Sequence, residues 1–208
     1  MEEVTSREED IEHMRGNLQR LFKLSLEAMD AVEAALAGSS GARDLTALAA
    51  LAEHLKDTIY SEALFFIAKW QPLGRILLYV ESMIKVSYDL FRITRYANEI
   101  MMTLELAPNT RLGEASLEAT RRAREMVERA FKAFTTGRAE LARGLEELDS
   151  RVDELYRHSL KRIASRESVP RDEALEAVVL RQLERVADHA TYIARETLRA
   201  IGEAGVTI

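Results

Sequence analysis

Residues 179–196 read VLRQLERVADHATYIARE, a stretch that predicts the middle of a long helix. Its apolar side chains recur at steps of four and three and therefore form one stripe along a helix: Val179, Leu183, Val186, Ala190 and Ile193. Glu184 and Asp188 are four residues apart, so their carboxylates stack one turn above the other and point away from that stripe. Because like charges at this spacing oppose a helix by about 0.2–0.5 kcal/mol, we expect another group to face them.

The composition of the whole chain favours long helices and excludes several kinds of site. The 208 residues are 47% hydrophobic, include only three prolines and nine glycines, and are rich in Ala, Leu, Glu and Arg. The absence of cysteine excludes disulfides, zinc knuckles and iron–sulfur ligation. The net charge is −6, whereas a general nucleic-acid binder is expected to carry a basic surface, so we expect no nucleic-acid partner.

The sequence carries no segment that predicts membrane insertion or export. Residues 1–10 are acidic and polar, which is unlike a signal peptide. The most apolar run, residues 63–80, is interrupted by charged residues and by Pro72 and is too broken to span a bilayer. We therefore expect a cytoplasmic protein that is not inserted in a membrane.

Glycine, serine and proline divide the chain into six segments, and the predicted fold class is all-α. Asp44 is placed to cap the second helix, and Pro72 to occupy its usual place near the first position of the third. The six long helices are expected near residues 6–38, 44–70, 72–106, 114–135, 137–166 and 170–202.

The two halves of the chain resemble each other. Residues 53–60, EHLKDTIY, overlay residues 149–156, DSRVDELY, at a constant offset of 96 (149 against 53). The third helix of each half also matches, with residues 90–97 over residues 183–190 at an offset of 93 (183 against 90). A repeat of this kind predicts two related three-helix units.

The loop at residues 107–110, APNT, is the clearest boundary between the repeats. The predicted architecture is therefore two tandem three-helix bundles, one over residues 1–107 and one over residues 108–208.

A second carboxylate pair, Asp149 and Asp153, lies one helix before Glu184 and Asp188. Antiparallel neighbouring helices could bring the two pairs face to face, and four converging carboxylates are strongly unfavourable without a cation. With metal ions they form an oxygen-rich site that suits Mg²⁺, Ca²⁺, Mn²⁺ or Fe³⁺. We therefore predict that these four residues are metal ligands at the surface of the bundle.

The same acids also fit a solvated, salt-bridged face in which they pair with Arg181, Arg185 and Arg195. His158 and His189 are expected to be surface or interhelical hydrogen-bonding residues, not ligands. The Glu-x-x-His pairs of di-iron bundles, a glycine-rich phosphate loop and a nucleophilic signature are all missing from the sequence, which argues against an enzyme.

Residues 183–194, LERVADHATYIA, resemble the Leu-Glu-Arg-Ile-Gly-Asp-His-Ala-x-Asn-Ile-Ala motif of the PhoU family of phosphate-uptake regulators. The departures are Ala187, usually Gly, and Tyr192, usually Asn. Residues 149–156 are similar to the acidic element of the preceding helix in that family, and residues 71–72 and 84–90 are similar to family motifs of the first half.

The resemblance implies two three-helix bundles, frequently dimeric, with iron or zinc bound by the paired acidic motifs. It also implies a regulator that couples a phosphate transporter to a sensor kinase and is not an enzyme. A helical scaffold or adaptor without metal, serving another transporter or signalling system, is the alternative. A metal-dependent hydrolase or oxidase is a third reading, which lacks a convincing general base.

The first half departs from the family motif where metal would bind. Glu53 and Asp57 are present, but Phe91 and Arg95 stand where the family has Glu and Asp. Phenylalanine cannot ligate a metal and a guanidinium repels one, so we predict one metal site per chain. Our hypothesis is that Arg95 pairs with Glu53 or Asp57 and supplies a fixed charge in place of the metal.

Overall fold

The structure is a computed structural model, and it describes residues 2–38, 44–108 and 110–202. All regular secondary structure in these ranges is helical, which confirms the predicted all-α class. Six long helices and one short one follow each other along the chain: α1 Glu2–Leu36, α2 Thr46–Trp70, α3 Arg75–Leu106, α4 Glu114–Thr136, α5 Ala139–Arg143, α6 Leu145–Ala164 and α7 Arg171–Ala200.

Two predicted helix boundaries were wrong. The predicted fifth helix is divided at Gly144 into the short α5 and the longer α6. Pro72 does not open α3, because Gln71 closes α2 in a left-handed conformation and Gly74 also has a positive φ of 59°. The chain therefore needs residues 71–74 for the turn, and α3 begins at Arg75.

Other boundaries agree with the sequence analysis. The side chain of Asp44 caps α2, since its Oδ1 accepts the backbone N–H of Thr46 at 2.8 Å. Gly137 ends α4 with a φ of 66°. The predicted break at residues 39–41 and Asn109 of the central loop lie outside the described residues.

The helices pack in two groups that share one core. α1, α2 and α3 contact each other, as do α4, α6 and α7, and the broadest contact between the groups joins α3 to α7. A single cluster of buried apolar side chains runs through both groups. The fold matches the predicted pair of three-helix bundles, while a domain boundary between residues 107 and 108 stays a prediction.

The apolar stripe of α7 lies in the centre of this core. All five of its predicted members, residues 179, 183, 186, 190 and 193, are completely buried. Burial of each large aliphatic side chain stabilises the fold by about 1.5–3 kcal/mol. Among the described residues, no helix is both long enough and apolar enough to cross a membrane.

Candidate metal centre

The four predicted ligands come from two neighbouring helices. Asp149 and Asp153 lie on α6, Glu184 and Asp188 lie on α7, and the two helices pack against each other. Burial raises the pKa of Asp149, and the negative charges of Asp153 and Asp188 raise it further. The structure therefore brings the two carboxylate pairs together.

The pKa of Glu184 is also raised. Burial is the main cause that raises its pKa, followed by the charge of Asp188, and Asp153 also contributes. Arg185 and Arg181 oppose this shift. The neighbouring carboxylates thus add to the effect of burial, and nearby positive charges offset part of it.

The four carboxylates are less exposed to solvent than the surface site that the sequence predicted. The side chain of Glu184 is only 12% exposed, and those of Asp188 and Asp153 are 25% and 27% exposed. The cluster lies in the seam between α6 and α7, which partly shields it from solvent.

Arginines already pair with three of the four carboxylates. Arg185 contacts Glu184 Oε2 through Nε and Asp188 Oδ2 through Nη1, both at 2.9 Å. Arg181 Nη1 lies 2.7 Å from Glu184 Oε1, and Arg157 Nη2 lies 2.8 Å from Asp153 Oδ2. The salt-bridged arrangement anticipated from the sequence is therefore present for Arg181 and Arg185.

Two carboxylate oxygens of the cluster are buried without a hydrogen bond. They are Asp149 Oδ1 and Glu184 Oε2, of which the second is near Arg185 Nε but not aligned for a bond. The Thr191 hydroxyl is close enough to lower the pKa of Asp149, yet it too lacks an aligned hydrogen bond. A buried, unsatisfied carboxylate oxygen is costly and favours a cation as its partner.

The four carboxylates do not have the geometry of a metal-bound site. Within the described residues, no three His, Asp or Glu side chains converge as metal ligands do. Three of the four carboxylates, Glu184, Asp188 and Asp153, are paired with arginines instead. The donor set and charge fit a hard cation, but the arginines would have to move for the carboxylates to enclose one.

The hypothesis for the first half was wrong about Arg95. Its guanidinium lies 3.8 Å from Glu99, one turn further along α3, and makes no ion pair with Glu53 or Asp57 among the described residues. Lys56 occupies that role, with its Nζ 2.9 Å from Asp57 Oδ1 and 4.8 Å from the centre of the Phe91 ring. A positive charge does lie at the altered position, but it comes from α2.

A buried polar pair between α3 and α7 was not identified from the sequence. His189 Nδ1 lies 2.8 Å from Asp89 Oδ1, and both side chains are about nine-tenths buried. The expectation of an interhelical hydrogen bond for His189 is confirmed, and His158 is exposed as expected. Asp89 could have been found from its position, because it lies three residues after Val86 and therefore on the buried stripe of α3.

Comparison with known proteins finds a family model and several proteins to which this chain is similar. The PhoU domain matches residues 117–197, which include all four carboxylates. Phosphate-specific transport system accessory protein PhoU homolog 1 from Methanothermobacter thermautotrophicus is 30% identical over 146 residues, an alignment that spans 66% of each chain and thus just under two thirds.

Two crystal structures share the fold at low sequence identity. PhoU from Pseudomonas aeruginosa superposes with a TM-score of 0.76 at 22% identity, covering 94% of this chain and 98% of its own. The phosphate transport system regulatory protein PhoU from Streptococcus pneumoniae gives a TM-score of 0.71 at 18% identity, with 97% and 99% coverage. These likenesses concern the fold alone.

Proposed function

Since the chain belongs to the PhoU family, we propose that it is a regulatory or accessory protein of phosphate transport. It acts through protein–protein contacts and binds metal at the α6–α7 carboxylates. The observation that carries the metal site is the cluster of four carboxylates, in which Asp149 Oδ1 is buried without a hydrogen bond. The family and the name of the Methanothermobacter relative support the link to phosphate transport.

The chemistry of the cluster supports a hard cation. Asp149, Asp153, Glu184 and Asp188 offer only oxygen donors, which suit Mg²⁺, Ca²⁺, Mn²⁺ or iron, and resemblance to the family favours iron or zinc. A bound cation would give Asp149 Oδ1 a partner and would replace Arg185 beside Glu184 Oε2.

Arg185 is the main competitor for the metal. It contacts both α7 carboxylates, so metal binding requires its guanidinium to leave Glu184 and Asp188. Its side chain is 34% exposed and can move into solvent. Exchange between an arginine-paired and a metal-bound state would change the surface that α6 and α7 present to a partner.

The metal site is tested by elemental analysis of protein purified without chelators or metal-affinity resin. We expect one site per chain, and two occupied sites per chain would contradict the single-site proposal. Glu184→Gln combined with Asp188→Asn should abolish metal binding while the far-UV helical signal is kept. The matched control is Glu53→Gln with Asp57→Asn in the first half, which should leave the metal content unchanged.

A second measurement separates metal binding from a purely salt-bridged face. Arg185→Gln removes the competing cation and should strengthen binding of Mn²⁺ or Fe²⁺ several-fold in a competition titration. The scaffold reading, in which the arginine pairs are the final state, predicts no metal binding by either protein. That reading has the arginine contacts in its favour, so this outcome would replace the metal proposal.

The proposed partners are components of a phosphate transporter and a sensor kinase. We propose that the protein is a homodimer and that it binds these partners in the cytoplasm. Cross-linking in the native cell, followed by affinity purification of the tagged chain, should recover phosphate transporter subunits. Recovery of a different transporter would favour the adaptor alternative. We propose no catalytic activity, and turnover of phosphoesters with Mn²⁺ or iron present would support the enzyme reading instead.

A further inference from the structure

A row of uncharged residues runs along the face of α2 that points away from the core. These residues recur at alternating steps of four and three, on the side opposite the buried Ala52, Ile59 and Ala63. They are Ala47, Leu51, His54, Thr58, Ser61, Phe65 and Ala68, all exposed except the half-buried Thr58, and we call them the α2 seam. This spacing is the one by which a helix packs along another helix at a small angle.

The corresponding face of α6 is charged. The repeat offset of 96 residues sets four residues of the seam against four exposed residues of α6: Leu51, Thr58, Ser61 and Phe65 against Glu147, Glu154, Arg157 and Lys161. The second half therefore shows which side chains this face carries when water covers it. On α2, Phe65 is 63% exposed and Leu51 is 49% exposed, which indicates a surface that contacts another protein.

The hydroxyl groups at the centre of the seam already have hydrogen-bond partners. Thr58 Oγ1 donates to the backbone carbonyl of His54 at 2.9 Å, and Ser61 Oγ donates to that of Asp57 at 2.9 Å. Because both donors are satisfied within α2, a second helix could cover them without leaving an unpaired hydroxyl.

The charged residues beside the seam argue against a membrane as its partner. Lys56 Nζ lies 2.9 Å from Asp57 Oδ1, and Lys69 Nζ lies 3.0 Å from Asp10 Oδ2, so both lysines are neutralised within the chain. Glu62 borders the seam on the same helix. Helices that lie on anionic lipid surfaces instead carry an excess of lysine and arginine on their polar side.

The seam has the same pattern in both directions from Thr58. On each side a hydrogen-bonding residue comes first, then a large apolar residue, then alanine: His54, Leu51 and Ala47 in one direction, and Ser61, Phe65 and Ala68 in the other. In an antiparallel pair related by a two-fold axis at Thr58, Leu51 of each copy would lie beside Phe65 of the other. The seam therefore complements itself, which favours a second copy of this chain over an unrelated protein.

We propose that α2 packs antiparallel against α2 of a second copy, about a two-fold axis at Thr58. The exposed side chains of Leu64 and Leu73, on and just after α2, extend the apolar surface next to the seam. The proposal rests on the homodimer of the proposed function and supplies its interface, and it is independent of metal binding at the α6–α7 carboxylates.

Cysteine cross-linking tests the pairing, because the chain has no cysteine of its own and each introduced thiol reports one contact. Under mild oxidation Thr58→Cys should form a disulfide-linked dimer, whereas Glu154→Cys, at the corresponding position of α6, should not. Leu51→Cys and Phe65→Cys should cross-link to each other when mixed and not when oxidised separately. Cross-linking of Leu51→Cys to itself, or none at Thr58→Cys, would overturn the antiparallel pairing.

Charge substitutions at the axis test whether the contact holds the dimer together. Thr58→Glu and Thr58→Lys each bring like charges together and should weaken self-association at least tenfold in sedimentation velocity, while the far-UV helical signal is kept. An equal mixture of the two variants should associate again, and Glu154→Thr, the reverse change on α6, should have no effect. A dimer that Thr58→Glu does not weaken would overturn this proposal alone, whereas a monomeric wild-type protein would overturn the homodimer as well.

Discussion

The hydrogen bond between Asp89 and His189 shows how one polar contact can join the two halves. Asp89 belongs to α3, His189 belongs to α7, and the rings of Tyr88, Tyr96 and Tyr192 surround the histidine. Burial raises the pKa of Asp89, the charge of Glu196 raises it further, and the hydrogen bond to His189 and the charge of Lys85 oppose the shift. Burial has the largest effect, so the folded protein holds a proton at this carboxyl more firmly than the unfolded chain does.

This raised pKa predicts a pH dependence of stability. Between the ordinary pKa of an aspartate and its raised value in the fold, the native state binds more protons, so the free energy of unfolding falls as pH rises. Asp89→Asn cannot titrate, and its unfolding free energy should fall less steeply with pH over this window. Urea denaturation of both proteins in half-unit steps upward from pH 4 measures the two slopes. Identical slopes would contradict the assigned effect of Asp89.

At the scale of the helices, Glu176 ties three elements together. It lies in α7 and is 5% exposed, its Oε1 accepts the backbone N–H of Gly113 before α4 at 2.9 Å, and Oε2 pairs with Arg162 of α6. These contacts orient the start of α4 and the end of α6 against α7. The Arg162 pair joins the end of α6 to the first turns of α7, on the same pair of helices that carries the candidate metal centre.

Removal of this tie should destabilise the second half. Glu176→Ala leaves the Gly113 N–H without its partner and Arg162 with Glu173 alone, and we expect a loss of about 1–3 kcal/mol in the free energy of unfolding. Glu176→Gln keeps an acceptor for the amide and should lose less. Chemical denaturation measures both losses. A neutral surface substitution changes stability by up to about 0.5 kcal/mol, and a loss below that value for the alanine variant would show that the contacts of Glu176 do not stabilise the fold.

At the scale of the whole molecule, the shared core makes the two halves interdependent. The contact between α3 and α7 is the broadest between any two helices and belongs to the common core, so neither half could unfold without exposing the core of the other. The repeat is thus visible in the sequence and in the helix order, while the core is common to both repeats.

We therefore predict one cooperative unfolding transition. Trp70, the single tryptophan, lies in the first half and donates a hydrogen bond to Asp10, so its fluorescence reports that half, whereas the far-UV signal reports all helices. Thermal or urea unfolding followed by both signals should give coincident curves. A far-UV transition that continues after the fluorescence change is complete would show that the second half unfolds on its own.

The sequence by itself determined the helices, the stripe of α7 and the two carboxylate pairs. These features follow from periodicity and from breaking residues, which act within a few turns of the same helix, so they can be read without knowledge of distant contacts. Where this local reading failed, at Gly144 and Pro72, the cause was backbone geometry in a turn.

Only the tertiary structure decided which groups meet between helices. The Asp89–His189 contact, the position of Lys56 over the ring of Phe91 and the Glu176–Arg162 pair all depend on how neighbouring helices are rotated and shifted. The arginine pairs of the carboxylate cluster, by contrast, form within one helix, which is why they could be anticipated from the sequence. The sequence therefore indicates where the acids and their arginine partners lie, and packing between helices determines that the pair on α6 lies beside the pair on α7.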